Sequence, residues 1–409
     1  MNAPGSPKGE PSLGEISVEE AQARILAGVA AAPPESVSLD AALGRTLAEP
    51  VAAVRDQPPF DASAMDGWAI LTDAAPGEFA ILGESAAGRP YPGAVGPGQA
   101  VRIFTGAEVP AGCRVVVQEA SERTDAGVRL GFAPDAPRFV RPRGGDFQAG
   151  EALLQPGVRL DAWRLALAAS AGRAEVGVAA RPRVAILSTG EEIVPAGRTL
   201  RPDQIFDSGG PALAALVTTW GGAPVRLEPT GDNEDAIAAA VGAADAGLIV
   251  TVGGASVGDH DLVKPALRRL GLELIVNTVR MRPGKPVWSG RLADGRRVLG
   301  LPGNPASALV CAELFLRPLM MALQGGDPAL KLEPAHLLQP VGKTGPREHW
   351  MRAALSVSQD GVLQAQAFAD QESSLVSIFA RADGLIRRPA GAGPAAAGDP
   401  VEVLRLTRL

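Results

Sequence analysis

The sequence predicts a multidomain protein of mixed α/β and β class, on three observations. At 409 residues the chain is too long for one hydrophobic core. Between about Arg181 and Gly325, continuous apolar runs alternate with helical patterns, as in a mostly parallel sheet covered on both faces. On either side, short strand-like runs are broken by Gly and Pro. The expectation is a central three-layer α/β domain, a small β domain before it, and a C-terminal β-barrel or sandwich.

The elements follow in order. The opening "MNAPGSPKGEPSLGE" is polar and Pro/Gly-rich, without the apolar stretch of a signal peptide. "SVEEAQARILAGV" reads as an amphipathic helix, with Ser17 and Glu20 at capping-box spacing. "SLDAALGRTLAE" (Ser38–Glu49) reads as a second, short helix. From Pro50 to Gly150, runs such as "AVRIFTG" and "CRVVVQEA" suggest β structure, and "WRLALAASAG" a helix leading out of it. The central part then gives strands at "RVAILST", "PVRLEP", "AGLIVTVG", "LELIVNTV" and "RRVLGLPG". Helices are expected at "PALAALVTTWG", "NEDAIAAAVGAAD", "LVKPALRRLG" and the long "ASALVCAELFLRPLMMALQ". After about Leu330, "HWMRAALSV", "GVLQAQAF", "DGLIRRP" and "PVEVLRL" are strands.

Composition narrows the chemistry. The net charge is −6 and aromatics are 4%, with one Tyr, so neither a basic footprint nor stacking platforms for nucleic acid are present. Two distant cysteines and three scattered histidines make no disulfide framework and no zinc spacing. No uninterrupted apolar stretch of membrane-spanning length is read, and a cytoplasmic location is expected. What remains are carboxylates, Lys/Arg, hydroxyls and backbone N–H groups, a set suited to phosphate-like oxyanions and to oxygen-ligated cations such as magnesium.

In a parallel sheet, ligands bind at the carboxyl ends of the strands. "TVGGASVGDHD" (Thr251–Asp261) stands at such an end. Gly253 and Gly254 permit close backbone approach, and Asp259 and Asp261 offer metal ligands or helix caps. "MRPGKPV" presents Arg282 and Lys285, and "GLPGNPASA" leads into a helix N-terminus near Ser307. "STGEEI" closes the first strand with Glu191 and Glu192. These loaded turns predict a shared ligand site.

These segments, with "PPFDASAMDGWA" and "RIFTGAEVPAGCRVVVQE", occur in an order that resembles the molybdopterin molybdenumtransferase family, the MoeA-like group that includes the E domain of gephyrin. The resemblance runs from about residue 15 to the end of the chain. It implies an N-terminal linker domain over 15–50 and 147–180, after a disordered tail over 1–14. It also implies an inserted β domain over 51–146, a molybdopterin-binding α/β domain over 181–326 and a C-terminal β-barrel over 327–409. Implied too is a homodimer whose cleft is shared between subunits, with an upstream molybdopterin adenylyltransferase as a possible partner.

The implied reaction inserts molybdate into adenylylated molybdopterin, with AMP leaving and Mg2+ assisting. On this resemblance Gly253, Gly254 and Ser256 cradle pyrophosphate, and Asp232, Asp259 and Asp261 hold the metal. Arg282, Lys285, Ser307, Arg352 and Ser373 converge on molybdate, beside the Pro302, Asn304 and Pro305 turn. Glu192 lines the cleft, while Asp66, Thr105 and Asp146 reach in from the partner subunit. The chain departs from the family pattern at Gly209 (usually Asn), Gly145 and Glu372; the last adds a negative charge near Ser373. The competing expectations are a molybdopterin adenylyltransferase and a non-catalytic, gephyrin-like dimeric scaffold.

Overall fold

The computed structural model describes residues 14–133, 135–254 and 262–407. Its centre is a six-stranded sheet in the order Ala223–Arg226, Arg183–Ser188, Leu248–Val252, Arg297–Leu301, Trp288–Arg291, Glu273–Val276. The first four strands run parallel, and Trp288–Arg291 is antiparallel to both its neighbours. The period-two alternation of side chains feeds two cores. Val184, Ile186, Leu248 and Val250 face the helices Val18–Leu26, Gly209–Thr219 and Pro305–Cys311. Ala185, Leu187, Ile249 and Val298 face Glu234–Ala243 and Val263–Arg268.

Register decides where the turns fall. Ser188 is opposite Val252, and Val252 is opposite Leu301. The segments that follow these three residues therefore leave the sheet side by side at one edge.

The long apolar helix is interrupted as its proline requires. It runs Pro305–Cys311 as α-helix, Ala312–Leu316 as a π-turn and Arg317–Leu323 as α-helix. Pro318 has no N–H for the carbonyl four residues back. That carbonyl, Leu314 O, instead accepts from Gln22 Nε2 of the first helix at 2.8 Å. By length and composition the segment Pro305–Leu323 would span a bilayer, but 72% of its apolar window is buried inside the protein.

Before the central unit, Ser17 caps the first helix by accepting from Glu20 N at 3.1 Å. The helix expected over Ser38–Glu49 is not formed: only Leu39–Ala41 makes a 3-10 turn. Gly44 takes φ +72°, and Thr46 and Leu47 then bridge to Arg159 and Val178. Tertiary pairing overrides the local helical pattern there. The chain leaves and returns along two short antiparallel ladders, Val51–Ala52 with Ala152–Leu154 and Ala62–Ser63 with Val140–Arg141. Beyond them lies a six-stranded sheet that includes Gly67–Leu71, Gln99–Ile103 and Cys113–Val117.

The C-terminal region closes on itself as a five-stranded barrel. Glu348–Val357 pairs with Leu363–Ala367 and Gly384–Arg388, and Leu332–Leu337 and Pro400–Arg405 complete the ring. Barrel rather than sandwich is thus the outcome. A two-residue strand from the central unit, Met281–Arg282, adds in parallel to Glu348–His349.

One packing prediction follows. A Cβ at Gly300 would stand 2.0 Å from the indole of Trp288, which is fully buried. Gly300→Ala is expected to lower stability by about 3 kcal/mol, since neither the ring nor the central strand can yield. A urea unfolding midpoint equal to wild type would show that the core repacks freely.

Candidate active site

The strand-end turns line one cleft of about 950 Å³. Its walls take Ser188–Gly190 from one strand end, Val252–Gly254 from the next, and Pro302–Asn304 with Ser307 from the third. The Arg282–Pro286 turn, Asp207, Asp232 and the barrel segment Gln371–Ser374 complete it. Of the residues expected there, Glu192, Asp232, Gly253, Gly254, Arg282, Lys285, Pro302, Asn304, Pro305, Ser307 and Ser373 are brought together. Ser256, Asp259 and Asp261 lie outside the described residues.

Gly253 has a different role from the one expected. Its N–H donates to Leu301 O at 3.2 Å, so it is not available to cradle an anion. The residue must be Gly because φ is +98° and a Cβ would meet Thr189 O at 2.5 Å. At the third turn, Pro305 begins the helix, and the Asn304 side chain donates to Ser373 Oγ at 2.8 Å rather than capping it. Ser307, almost fully buried, stands in the first turn, where the dipole favours an anion.

The cationic wall is assembled from three parts of the chain. Arg282 and Lys285 are exposed on their turn. Lys285 Nζ is held by Glu15 Oε1 at 2.9 Å, so an incoming anion competes with this carboxylate. Arg347, not foreseen from the sequence, joins them from the start of the barrel strand. No periodic signal marks it. Its cue is its place five residues before Arg352.

Arg352 was expected to touch ligand, but it does not line the cleft. It is fully buried behind the wall. Its Nε donates to Gln371 Oε1 at 3.2 Å and its Nη1 to Glu372 O at 2.9 Å, so it braces the Gln371–Ser374 loop from beneath. The extra charge of Glu372 is turned back on its own loop, accepting from Ser374 N at 2.8 Å and from Ser373 Oγ at 3.2 Å. The hydrogen bonds to Ser374 hold this carboxyl below its ordinary range.

Asp207 is a second buried brace. Its Oδ1 accepts from Ser188 Oγ at 3.1 Å and from Gly210 N at 2.9 Å, tying a strand end to the next helix. The departure at Gly209 is coupled to packing: a Cβ there would approach Val252 Cγ1 to 3.1 Å.

Asp66, Thr105 and Asp146 do not line the cleft within one chain. Asp66 Oδ1 accepts from Thr105 N at 2.8 Å and Thr105 Oγ1 at 2.9 Å, which holds its carboxyl below the usual range. Asp146 is exposed nearby, and Arg143 pairs with Asp56 instead, at 2.6 Å.

For a metal, the donors present are hard oxygens. Among the described residues no three His, Cys, Asp or Glu gather into a preformed site. Magnesium ordinarily takes only one or two carboxylates beside water and substrate phosphate, and Asp232, exposed in the cleft, is of that type.

The fold and cleft define a class: a protein of three successive units whose central α/β layer presents cations, hydroxyls and glycine turns to an anionic ligand. Known families sharpen it. Residues 16–172 match the MoeA N-terminal region (domain I and II), 185–322 a domain described as "Probable molybdopterin binding domain", and 334–406 the MoeA C-terminal region (domain IV). A molybdopterin molybdenumtransferase of Nostoc sp. is 35% identical over 91% of this chain and 88% of its own length. Molybdopterin molybdenumtransferase 2 of Mycobacterium tuberculosis is 34% identical over 96% of this chain and 100% of its own. A crystal structure of molybdopterin biosynthesis MoeA protein from Pyrococcus horikosii superposes with a TM-score of 0.81 at 28% identity, covering 97% of this chain and all of that one. The chain belongs to the molybdopterin molybdenumtransferase family.

His349 supplies the pH prediction for this site. It is in register with Arg282, and burial together with Arg282, Arg352 and Arg347 pushes its imidazole down to about 4. As pH falls from about 6.5, the unfolded chain takes up this proton while the folded chain does not, so stability drops until about pH 4. Across that window His349→Gln is expected to remove a loss on the order of 2 kcal/mol, allowing for partial solvent access. Parallel urea-stability profiles for the two proteins would contradict this.

Proposed function

We propose that this protein inserts molybdate into adenylylated molybdopterin and releases AMP, with Mg2+ assisting, in molybdenum cofactor biosynthesis. Family membership supports the transferase activity. The observation that carries the detailed reading is the cleft itself, where Arg282, Lys285, Arg347, Ser307 and Ser373 are gathered in an otherwise acidic chain.

Molybdate is a tetrahedral dianion, and guanidinium, ammonium and hydroxyl groups are its natural partners. Lys285 exchanges Glu15 for the oxyanion, and Arg282 and Arg347 supply further charge. Ser307 donates from the first helical turn, and Ser373 from the loop that Arg352 braces. On the Gly254 side, backbone and dipole accommodate the pyrophosphate. Asp232, together with Asp259 and Asp261, would hold a magnesium ion, which when bound would supply positive charge to the phosphate that departs. The two dithiolene sulfurs replace two oxygens of molybdate, which take the thiol protons and leave as water or hydroxide; one such oxygen attacks the pyrophosphate, the P–O–P bond breaks and AMP leaves, the other phosphate staying on the pterin. Glu192 lines the same cleft as a candidate for handling protons.

The direct test supplies adenylylated molybdopterin and Mg2+ and follows AMP by chromatography. Molybdate is expected to trigger AMP release, and Lys285→Ala to raise the molybdate needed for half-maximal rate by about tenfold, the loss of one close charge pair. AMP release indifferent to molybdate would remove the proposal.

The same proposal includes a homodimer acting in the cytoplasm. Asp66 and Thr105, joined by hydrogen bonds, and the exposed Asp146 lie outside the cleft of their own chain, which suits a contribution to the partner's cleft. At molybdate well below the wild-type half-maximal concentration, where both variants are weak, mixing Asp66→Ala and Lys285→Ala subunits is expected to restore about a quarter of wild-type activity, as one intact cleft in half of the dimers would. No recovery despite demonstrated subunit exchange would show that each chain works alone.

A further inference from the structure

One feature of the cleft is not used by an oxyanion. Ile205 and Phe206 line it, yet they are 54% and 46% exposed, in a chain whose large apolar side chains mostly lie in its cores. They are held open by the backbone. Ile205–Phe206 pairs in parallel with Ile193–Val194, with Ile205 N donating to Glu192 O and Asp207 N to Val194 O, both at 2.8 Å. The next residue, Asp207, is anchored by Ser188 and Gly210. The backbone of the pair is thus fixed on both sides, and its side chains stand exposed at the cleft. A fixed apolar shelf beside convergent polar groups is the usual make-up of a small-molecule site.

We infer that Phe206, with Ile205 beside it, is a stacking shelf for a planar fused-ring heteroaromatic part of the substrate. The cleft is then two-sided in chemistry, with cations and hydroxyls for the anionic centre and an aromatic face for a ring. This rests on the function proposed above, whose substrate carries two such rings, a pterin and an adenine. Both offer a π-face to Phe206, and stacking on an aromatic side chain tolerates differences in ring identity. Phe206 acts by binding and orienting, and no bond is made or broken at it.

The test uses the full chain and two ring probes, 6-hydroxymethylpterin followed by fluorescence and AMP followed by calorimetry, with molybdate binding as a third arm. Phe206→Ala is expected to weaken one of the ring probes by about tenfold or more while leaving molybdate binding within twofold. Phe206→Tyr should keep the affinity. Phe206→Leu retains apolar bulk without a ring face and should lose it, which covers the case of an Ala variant that does not fold. The probe that loses affinity identifies the ring.

Ring binding unchanged in both the Ala and Leu variants would overturn the shelf while leaving molybdate-triggered AMP release untouched. Weakened self-association of Phe206→Ala with unchanged ring binding would likewise overturn it, assigning the pair to a contact between copies. If wild type binds neither ring probe but its AMP release responds to molybdate, the shelf alone fails. If neither response is seen, the proposed function fails and the shelf with it.

Discussion

The cleft depends on one short ladder. Met281–Arg282 pairs in parallel with Glu348–His349, and Glu348 N donates to Arg280 O at 3.0 Å. On the opposite side the same segment is held by the N-terminal region, where Arg280 N donates to Ile16 O at 2.7 Å. The turn carrying Arg282 and Lys285 is therefore clamped between the two ends of the chain. Within the turn, Val279 N donates to Lys285 O at 2.9 Å, and Gly284 packs so closely on Cys311 that a Cβ would stand 2.4 Å from the sulfur. A turn that pointed its cations freely into solvent would lose them to water and chain entropy; this one is ordered before any anion arrives.

Electrostatics follows from that placement. The cleft mixes three cations, Arg282, Lys285 and Arg347, with four carboxylates, Glu192, Asp207, Asp232 and Glu372, because residues distant in sequence are brought together there. Some acidic groups close by are engaged by protein partners. Glu372 is bonded to Ser373 and Ser374, Asp207 to Ser188 and Gly210, and Glu348 to Arg387 at 3.0 Å. Asp232 and Glu192 stand exposed in the cleft, and Glu15 instead sits on Lys285 itself. A partly exposed pair of that kind contributes little stability, so it is readily exchanged for a ligand that brings more charge.

Much of this was legible in the sequence because it rests on local signals. Buried parallel strands show as unbroken apolar runs, and strand-end turns show as Gly and Pro beside chemically loaded residues. The Ser38–Glu49 segment carried a helical pattern too, but Gly44 and the bridges of Thr46 and Leu47 to distant strands decide its conformation, and no local window contains those partners. The same limit hid Arg347 and misplaced Arg352. Arg347 directly precedes the barrel strand Glu348–Val357 and Arg352 lies within it, and only the tertiary packing of the barrel against the central unit puts the first on the cleft and buries the second.

Burial separates the work of these polar residues. Arg352 and Asp207 are almost inaccessible to solvent and spend their hydrogen bonds on protein groups, Gln371 and Glu372 for the first and Ser188 and Gly210 for the second. Groups buried in this way lose too much on desolvation to be left unpaired, so their value lies in fixing geometry. Arg282, Lys285 and Asp232 are exposed, and their charges remain available. Among the described residues, Arg352 Nη2 has no hydrogen-bond partner. Arg352 thus supports the binding wall from beneath, through Gln371 and Glu372, without lining the cleft itself.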